Sequence, residues 1–302
     1  MNKAQLDAKA GNGAVINITF FDSDTQPAKG IVIIIHGFGE HSGSYDELAH
    51  HLSQAGYSSA IYNQRGHGVL RAEESGKLKE ESGQSIPKRT AGGQKDMRGI
   101  IPSYQCFLDD ISAVTATVKL HAPDLPITLY GHSMGGNIVA NYLLKNDQSA
   151  YICAVLEAPW LGLYKEVSPL VAGLAKAVGR LTPKVAIFNK LSPDDVTGDP
   201  DRADVFRTDP LYHNRISMRM FAGINDGCKY ALSNASKLAI PVYLAAAGND
   251  RIVSTRATTQ FAEEAGSIAT FKLYDSFHAI HNDTQREGYY RDVIDYLDKH
   301  YV

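Results

Sequence analysis

The sequence predicts an α/β fold with a mostly parallel central sheet flanked by helices and an inserted helical cap. Three observations favour this class. The continuous β-branched run Ile31–Ile35 is typical of a strand that is buried on both faces. An apolar run, a glycine-rich turn and an amphipathic run follow one another from Leu125 to Asn146. The alternation of strand and helix patterns then stops near Leu161 and resumes at Ile240, which indicates an insertion between two parallel strands.

The patterns before the glycine-rich turn alternate as this class requires. Val15–Phe21 predicts an early strand at an antiparallel edge, Tyr45–Ala55 a helix, and Tyr57–Tyr62 a strand. Ser103–Leu120 carries an apolar stripe at helical spacing. The polar stretch Val69–Gln94 is long for a connection inside a compact domain, so we expect either a mobile functional loop or a solvated excursion there.

The turn Gly131-His132-Ser133-Met134-Gly135 joins a predicted strand to a helix that begins at Met134. A strained strand-to-helix turn of this kind exposes the serine oxygen at the top of a sheet, while the glycines let strand and helix approach closely. The free N–H groups and positive end of the helix point at charge developing beside the serine. Ser133 is therefore the predicted nucleophile.

The loop His36–His41 follows the buried strand, so it opens on the same rim as Ser133. Its glycines can present the Phe38 N–H to an oxyanion, with the Met134 N–H as the second donor. His67 lies in another turn on this rim. No later acid is placed to orient His67, so we expect a structural role for it.

A serine nucleophile needs a base, and the base needs an orienting acid. Asp250 follows the predicted strand Ile240–Ala246, and His278 follows the strand Thr270–Tyr274. Both strand ends lie on the predicted rim. His281 remains a rival to His278 as the base.

These motifs together resemble the monoacylglycerol lipase and bacterial lysophospholipase-like branch of the α/β-hydrolases. The resemblance covers almost the whole chain and rests on His36–His41, Arg65–Gly68, Gly131–Gly136, Gly248–Val253, His278–Asn282 and the cap motif Asp209-Pro210-Leu211. The chain departs from the family pattern at Ser44, Asn63 and Ala279, where the family usually has arginine, aspartate and glutamate. These departures weaken the transfer of substrate identity and leave the chemistry in place.

The resemblance implies a serine lipase or esterase of the α/β-hydrolase fold. In it Ser133 is the nucleophile, Asp250 the acid, and His278 rather than His281 the base, with Phe38 and Met134 as oxyanion donors. We expect it to cleave esters of monoacyl lipids through an acyl-enzyme. A general carboxylesterase acting on short-chain or aromatic esters is the alternative, and a non-catalytic binding protein of the same fold is a more distant one.

The inserted segment divides the chain into a core domain, residues 1–159 and 229–302, and a helical cap, residues 160–228. The cap pattern predicts short helical pieces broken by prolines, with an apolar stripe on one of them. We expect Leu170, Leu174 and Val178 of this stripe to bind substrate, and the stripe to make transient contact with a membrane surface. Simple packing of the stripe onto the core is the alternative.

Composition excludes other classes of protein. The 302 residues carry a net charge of −3 and are 44% hydrophobic and 21% charged, so we expect no nucleic-acid partner. Cys106, Cys153 and Cys228 lack metal-ligand spacing and predict reduced thiols. The sequence predicts no metal and no cofactor. The polar start, residues 1–13, and the lack of a long apolar run predict a cytoplasmic protein. Its expected partner, as the resemblance implies, is a small-molecule lipid or ester substrate.

Overall fold

The computed structural model describes residues 2–68, 97–182, 185–189 and 191–301. The predicted polar insertion, residues 69–94, lies outside the described residues. A central sheet of eight strands has the order β1-β2-β4-β3-β5-β6-β9-β10. Its strands are β1 (Lys3–Lys9), β2 (Val15–Phe21), β3 (Gly30–Ile35), β4 (Tyr57–Tyr62), β5 (Ile127–His132), β6 (Tyr151–Glu157), β9 (Val242–Ala247) and β10 (Ala269–Tyr274).

The sheet is mostly parallel, as predicted. β1 and β2 pair antiparallel, and so do β2 and β4, while the other neighbouring strands of this sheet pair in parallel. The strand β1 is absent from the sequence prediction because its polar residues alternate on an exposed edge, where pairing with β2 is what orders it.

Helices cover both faces of the sheet. They are α1 (Asp46–Gln54), α2 (Gln105–His121), α3 (Met134–Lys145), α8 (Thr255–Ala265) and α9 (Arg286–His300). Successive residues of β3 point to opposite faces, so Ile31 and Ile33 join one hydrophobic core while Val32 and Ile34 join the other. This explains why β3 reads as a continuous apolar run. The protein has an α/β-hydrolase fold.

The segment 160–228 adds no strand to the central sheet in its described part. It contains α4 (Pro169–Leu181), β7 (Ala186–Phe188), α5 (Pro193–Val196), α6 (Pro200–Thr208), β8 (Arg215–Ser217) and the start of α7 (Met218–Asn234). The expectation of short helical pieces alone is wrong, because β7 and β8 form a second, antiparallel sheet and α7 has 17 residues. The predicted boundary after Cys228 falls inside α7, and the division into domains stays a prediction.

The full length of α7 was not predicted from the sequence because the helix contains Gly223 and Gly227, and glycine lowers helix propensity. They are needed for close packing. A Cβ at Gly227 would lie 2.8 Å from the Asn137 side-chain oxygen, and one at Gly223 would lie 2.7 Å from Cβ of Tyr104. Among the helices that the structure describes, none is long and apolar enough to cross a membrane.

Gly135 and Gly173 give a matched test of the packing at the Ser133 turn. A Cβ at Gly135 would lie 2.0 Å from the Ile35 carbonyl oxygen, whereas one at Gly173 in α4 would meet nothing within 4 Å. We expect Gly135→Ala to lower the free energy of unfolding by about 1–3 kcal/mol through overpacking. Gly173→Ala should raise it by about 0.5–1 kcal/mol. Urea unfolding measures both, and equal midpoints for the two variants would contradict this packing.

Candidate active site

Ser133 lies between β5 and α3 with a φ of 51°, a conformation that is rare for a residue with a side chain. Three backbone hydrogen bonds hold it there. The Ser133 N–H donates to the Glu157 carbonyl at 2.9 Å, and the Ser133 carbonyl accepts from the N–H groups of Asn137 and Trp160 at 3.0 and 2.8 Å. The surrounding backbone therefore fixes the strained turn that lifts the serine oxygen out of the sheet.

His278 connects Ser133 to Asp250. Its Nε2 lies 2.8 Å from Ser133 Oγ, and its Nδ1 lies 2.7 Å from Asp250 Oδ2. The other oxygen of Asp250 accepts from the N–H groups of Ile252 and Val253 at 2.8 and 2.9 Å. All three side chains are buried. The contacts are those of a nucleophile, a base and a group that orients the base.

Electrostatics favours a charge on His278. Burial opposes an imidazolium there, but the adjoining Asp250 carboxylate outweighs burial and raises the pKa of His278 above its usual 6.5. The imidazole can therefore accept a proton from the serine hydroxyl and remain stabilised by Asp250.

The backbone N–H groups of Phe38 and Met134 are available for an oxyanion. Among the described residues, neither group donates to a backbone carbonyl. Met134 is the first residue of α3, whose first-turn N–H groups lack partners within the helix. Phe38 lies in the loop after β3, which is held by a hydrogen bond from the Gly37 N–H to Glu40 Oε2 at 2.8 Å.

A cavity of about 320 Å³ opens on Ser133 and His278. Its walls come from the ends of the strands and from the segment 160–228, and most of the surface that they expose to the cavity is apolar. The apolar lining residues are Phe38, Trp160, Leu163, Leu191, Pro193, Val196, Phe206 and Ile252, and the polar ones besides Ser133 and His278 are Glu40, His132, Asn189, Tyr212, His213 and Asn214. Trp160 and Ile252 follow strand ends in the sequence, which was the signal that could have identified them.

The predicted cap residues Leu170, Leu174 and Val178 do not line this cavity. Leu170 and Leu174 are 86% and 64% exposed, whereas Ala175 and Gly179 on the same helix are buried. A Cβ at Gly179 would lie 2.8 Å from the Arg219 backbone nitrogen at the start of α7. The small residues of α4 therefore pack against α7, and the leucines of α4 point away from the core. The expectation that these leucines wall a substrate tunnel is wrong, and so is the alternative that they pack onto the core.

His281 does not contact Ser133. Its backbone N–H and its Nδ1 each lie 2.9 Å from Glu157 Oε1, and Tyr130 donates to the other oxygen of Glu157. Burial raises the pKa of the Glu157 carboxyl, but the nearby His281 and His132 outweigh burial and lower it to about 2. Glu157 thus holds the loop between β10 and α9, residues 275–285 and called the histidine loop below, through its side chain. It holds Ser133 through its backbone, and the sequence analysis missed both contacts.

His67 makes no hydrogen bond to Ser133 among the described residues, and its Nδ1 lies 3.1 Å from the Arg65 carbonyl. Burial and the adjacent His213 lower the pKa of His67 to about 3, so the ring is neutral. This environment agrees with the structural role expected from the sequence.

Asp283 holds the other end of the histidine loop. One oxygen accepts from Ser276 Oγ and the Phe277 N–H at 2.7 and 2.6 Å. The other oxygen accepts from Thr197 Oγ1 and the Gly198 N–H at 3.2 and 2.8 Å. The same carboxylate therefore fixes the residues before His278 and a segment next to the cavity wall.

Two groups of side chains among the described residues could hold a metal ion. Glu40, His132 and His281 form a buried group, and Glu47, His51 and Glu287 form a more exposed one. The three cysteines are free and buried, and they belong to neither group.

Comparison with known proteins identifies the family. The model of the Hydrolase_4 family, described as serine aminopeptidase S33, matches residues 26–285. The chain belongs to this family. It is 26% identical over 295 residues to a monoacylglycerol lipase of Mycolicibacterium smegmatis, with 96% of each chain covered. The solved monoacylglycerol lipase of Paleococcus ferrophilus superposes with a TM-score of 0.78 at 25% identity, covering 94% of this chain and 99% of that one.

A further relative is much longer. An uncharacterized abhydrolase domain-containing protein of Dictyostelium discoideum is 26% identical over 269 residues, which cover 88% of this chain and 26% of the relative. The family and its ester-hydrolysing relatives make this chain a carboxylic ester hydrolase.

Asp283→Asn tests the tie between the histidine loop and the segment 160–228. Burial raises the pKa of Asp283, but its hydrogen bonds, above all those from Ser276 and Phe277, outweigh burial and lower the pKa below the usual 3.8. A lowered folded pKa contributes stability that is complete above about pH 5 and is lost as the pH falls through the folded value. We expect Asp283→Asn to lower the free energy of unfolding by about 1–3 kcal/mol at neutral pH and to make it less sensitive to acid.

The control is Asp275→Asn, an exposed carboxylate in the same loop, which should change the free energy of unfolding by less than about 0.5 kcal/mol. Urea unfolding at a series of pH values measures both variants. An Asp283→Asn protein as stable as the wild type at neutral pH would contradict the assignment.

Proposed function

We propose that the chain hydrolyses carboxylic esters of monoacyl lipids, such as monoacylglycerols or lysophospholipids, through an acyl-enzyme on Ser133. The observation that carries the proposal is the continuous set of contacts Ser133–His278–Asp250 at the base of a mostly apolar cavity. The monoacylglycerol lipase names of two relatives support the substrate class.

His278 accepts the Ser133 proton at Nε2 as Oγ attacks the ester carbonyl. Asp250 holds the imidazole with its Nδ1–H directed at the carboxylate and stabilises the imidazolium. His278 then gives its proton to the leaving alcohol, so the acyl group remains on Ser133. Water that loses a proton to His278 attacks the acyl carbonyl, and the acid departs as Ser133 recovers its proton.

The N–H groups of Phe38 and Met134 stabilise the oxyanion in both steps. Removing one such donor costs about 2.7–4 kcal/mol of transition-state stabilisation in enzymes where it has been measured. Because backbone groups supply the donation, the reaction depends on the Ser133 turn and on the loop after β3 keeping their conformations.

The apolar part of the cavity binds the acyl chain. Burying each methylene contributes up to about 0.8 kcal/mol, so a longer chain gains more than an acetyl group until the cavity is full. The polar side chains of the lining, including Tyr212 and Asn214, can form hydrogen bonds with the hydroxyl groups of an alcohol head group.

The exposed apolar face of α4 and the strand after it makes transient contact with a membrane or micelle. Seven large apolar side chains are exposed in the described part of this stretch, namely Leu170, Val171, Leu174, Leu181, Val185, Ile187 and Phe188. Lys165 and Arg180 are exposed beside them and can meet anionic head groups. The contact would deliver a lipid substrate to the cavity. The cytoplasmic location stays a prediction from the sequence.

Three variants test the assignment of roles. Ser133→Ala should lower kcat by roughly 10⁶-fold and abolish labelling by a fluorophosphonate. His278→Ala should abolish turnover of a nitrophenyl ester. His281→Ala should retain measurable turnover and instead lower the free energy of unfolding by about 3–5 kcal/mol, because it removes the imidazole that pairs with the buried Glu157 carboxylate.

Initial rates, intact-mass labelling and urea unfolding on the same preparations separate these effects. Fluorophosphonate labelling of the Ser133→Ala protein would show that the nucleophile lies elsewhere. Full turnover by His278→Ala would show that it is not the base.

An ester panel tests the substrate class. Catalytic efficiency on monomeric esters should rise from acetyl towards medium-chain acyl groups, and a wild type that prefers acetyl or butyryl esters would favour the general carboxylesterase instead. Leu174→Asp should leave this chain-length profile unchanged, because Leu174 lies outside the cavity, and should weaken hydrolysis of monoacylglycerol in vesicles. Leu120→Asp is the control, since Leu120 is an exposed leucine like Leu174 (86% against 64% exposed) but lies on α2. Equal vesicle activity of both variants would contradict the membrane contact.

A further inference from the structure

A buried cluster of Glu40, His132 and His281 lies beside the Ser133–His278 pair. Their relative exposures are 4%, 1% and 1%. The His132 ring lies between two other imidazoles, with its centroid 4.9 Å from that of His278 and 4.8 Å from that of His281. Each of the three residues offers one possible metal-ligand atom, and these three atoms lie within 4.8 Å of one another.

The distances in the cluster are suitable for metal ligands. His132 Nδ1 lies 3.3 Å from Glu40 Oε2, and the Tyr45 hydroxyl lies 2.7 Å from that oxygen and 3.1 Å from that nitrogen. A tetrahedral Zn²⁺ with bonds of about 2.0–2.1 Å separates neighbouring ligand atoms by roughly 3.3 Å. Glu40 and His132 therefore already lie at the separation of two ligands of one ion.

His281 is oriented as metal-binding histidines are. Its Nδ1 lies 2.9 Å from the Glu157 carboxylate, which leaves Nε2 to bind an ion. A histidine ligand usually donates its other nitrogen to a carboxylate in this way. The Nε2 atom of His281 is buried and has no hydrogen-bond partner within the described part of the chain, so the atom that would bind the ion lacks the partner that buried groups normally have.

An ion can reach the cluster from solvent and would be electrostatically favoured there. Glu40 and His132 both line the active-site cavity. Two buried carboxylates, Glu40 and Glu157, face the imidazoles. A divalent cation would balance their charge in a site where water is largely excluded.

We propose that Glu40, His132 and His281 bind a divalent transition-metal cation such as Zn²⁺, and that the bound ion inhibits ester hydrolysis. Inhibition follows from position, because a cation next to His132 lies close to the His278 ring and disfavours the imidazolium that forms there. This consequence rests on the proposed function, whereas metal binding does not. The sequence predicted no metal site, and the proposed ion is an inhibitor rather than a cofactor.

Competition with a chromogenic chelator measures Zn²⁺ binding, and the visible spectrum of Co²⁺ reports tetrahedral ligands. We expect one bound equivalent in the wild type and in Ser133→Ala. His281→Gln and Glu40→Gln should each bind at least about 10-fold more weakly. The control is His51→Gln, which removes a ligand from the more exposed group of Glu47, His51 and Glu287 and should bind like the wild type.

Binding that is unchanged in His281→Gln and Glu40→Gln, or lost in His51→Gln, would overturn the site. Anomalous diffraction from a Zn²⁺-soaked crystal of the wild type is a second measurement that needs no variant to fold. It must show the ion between Glu40, His132 and His281, and an ion found at His51 alone would also overturn the proposal.

Inhibition is measured on the wild type with a nitrophenyl ester. Filling the site should lower kcat at least about 10-fold, and a chelator should restore it. Full activity with the site filled would overturn the inhibitory part of the proposal. A protein that binds Zn²⁺ at the cluster but hydrolyses no ester would leave the site in place and would contradict the proposed function.

Discussion

The geometry of the site depends on Glu157 at the end of β6. Its carbonyl accepts the Ser133 N–H, and its buried carboxylate accepts the backbone and ring N–H groups of His281. One residue therefore positions both the strained serine turn and the loop that carries His278. Loss of a partner from a buried carboxylate in a low-dielectric interior is costly, so the hydrogen bonds to Glu157 favour a single geometry.

The segment 160–228 is attached to the core by similar polar contacts. Asp283 joins the histidine loop to Thr197 and Gly198, and the Ala279 N–H donates to the Val196 carbonyl at 2.8 Å. Val196 also lines the cavity. The contacts that fix His278 thus also fix part of the cavity wall, so a displacement of this wall would be transmitted to the histidine loop.

The two faces of α4 show how packing decides what a helical pattern means. The stripe of aliphatic residues in the sequence predicts a helix, and a helix forms at Pro169–Leu181. Its small residues, Ala175 and Gly179, are the ones buried, because they allow α4 to lie close to α7. The larger leucines are left on the surface, where they form an exposed apolar patch of the kind that marks an interaction site.

Local patterns in the sequence were sufficient for the central strands, for most flanking helices and for the positions of Ser133, Asp250 and His278, because parallel strands bring their carboxyl ends to one rim. Periodicity and turn chemistry act over a few residues, and these features need nothing more. The edge strand β1, the length of α7 and the walls of the cavity were decided by contacts between distant segments. So was the cluster of Glu40, His132 and His281, which come from three separate loops or strand ends. Local sequence spacing cannot predict contacts between distant segments. These contacts depend on how the strands are ordered in the sheet and on which helix faces carry side chains small enough for close packing.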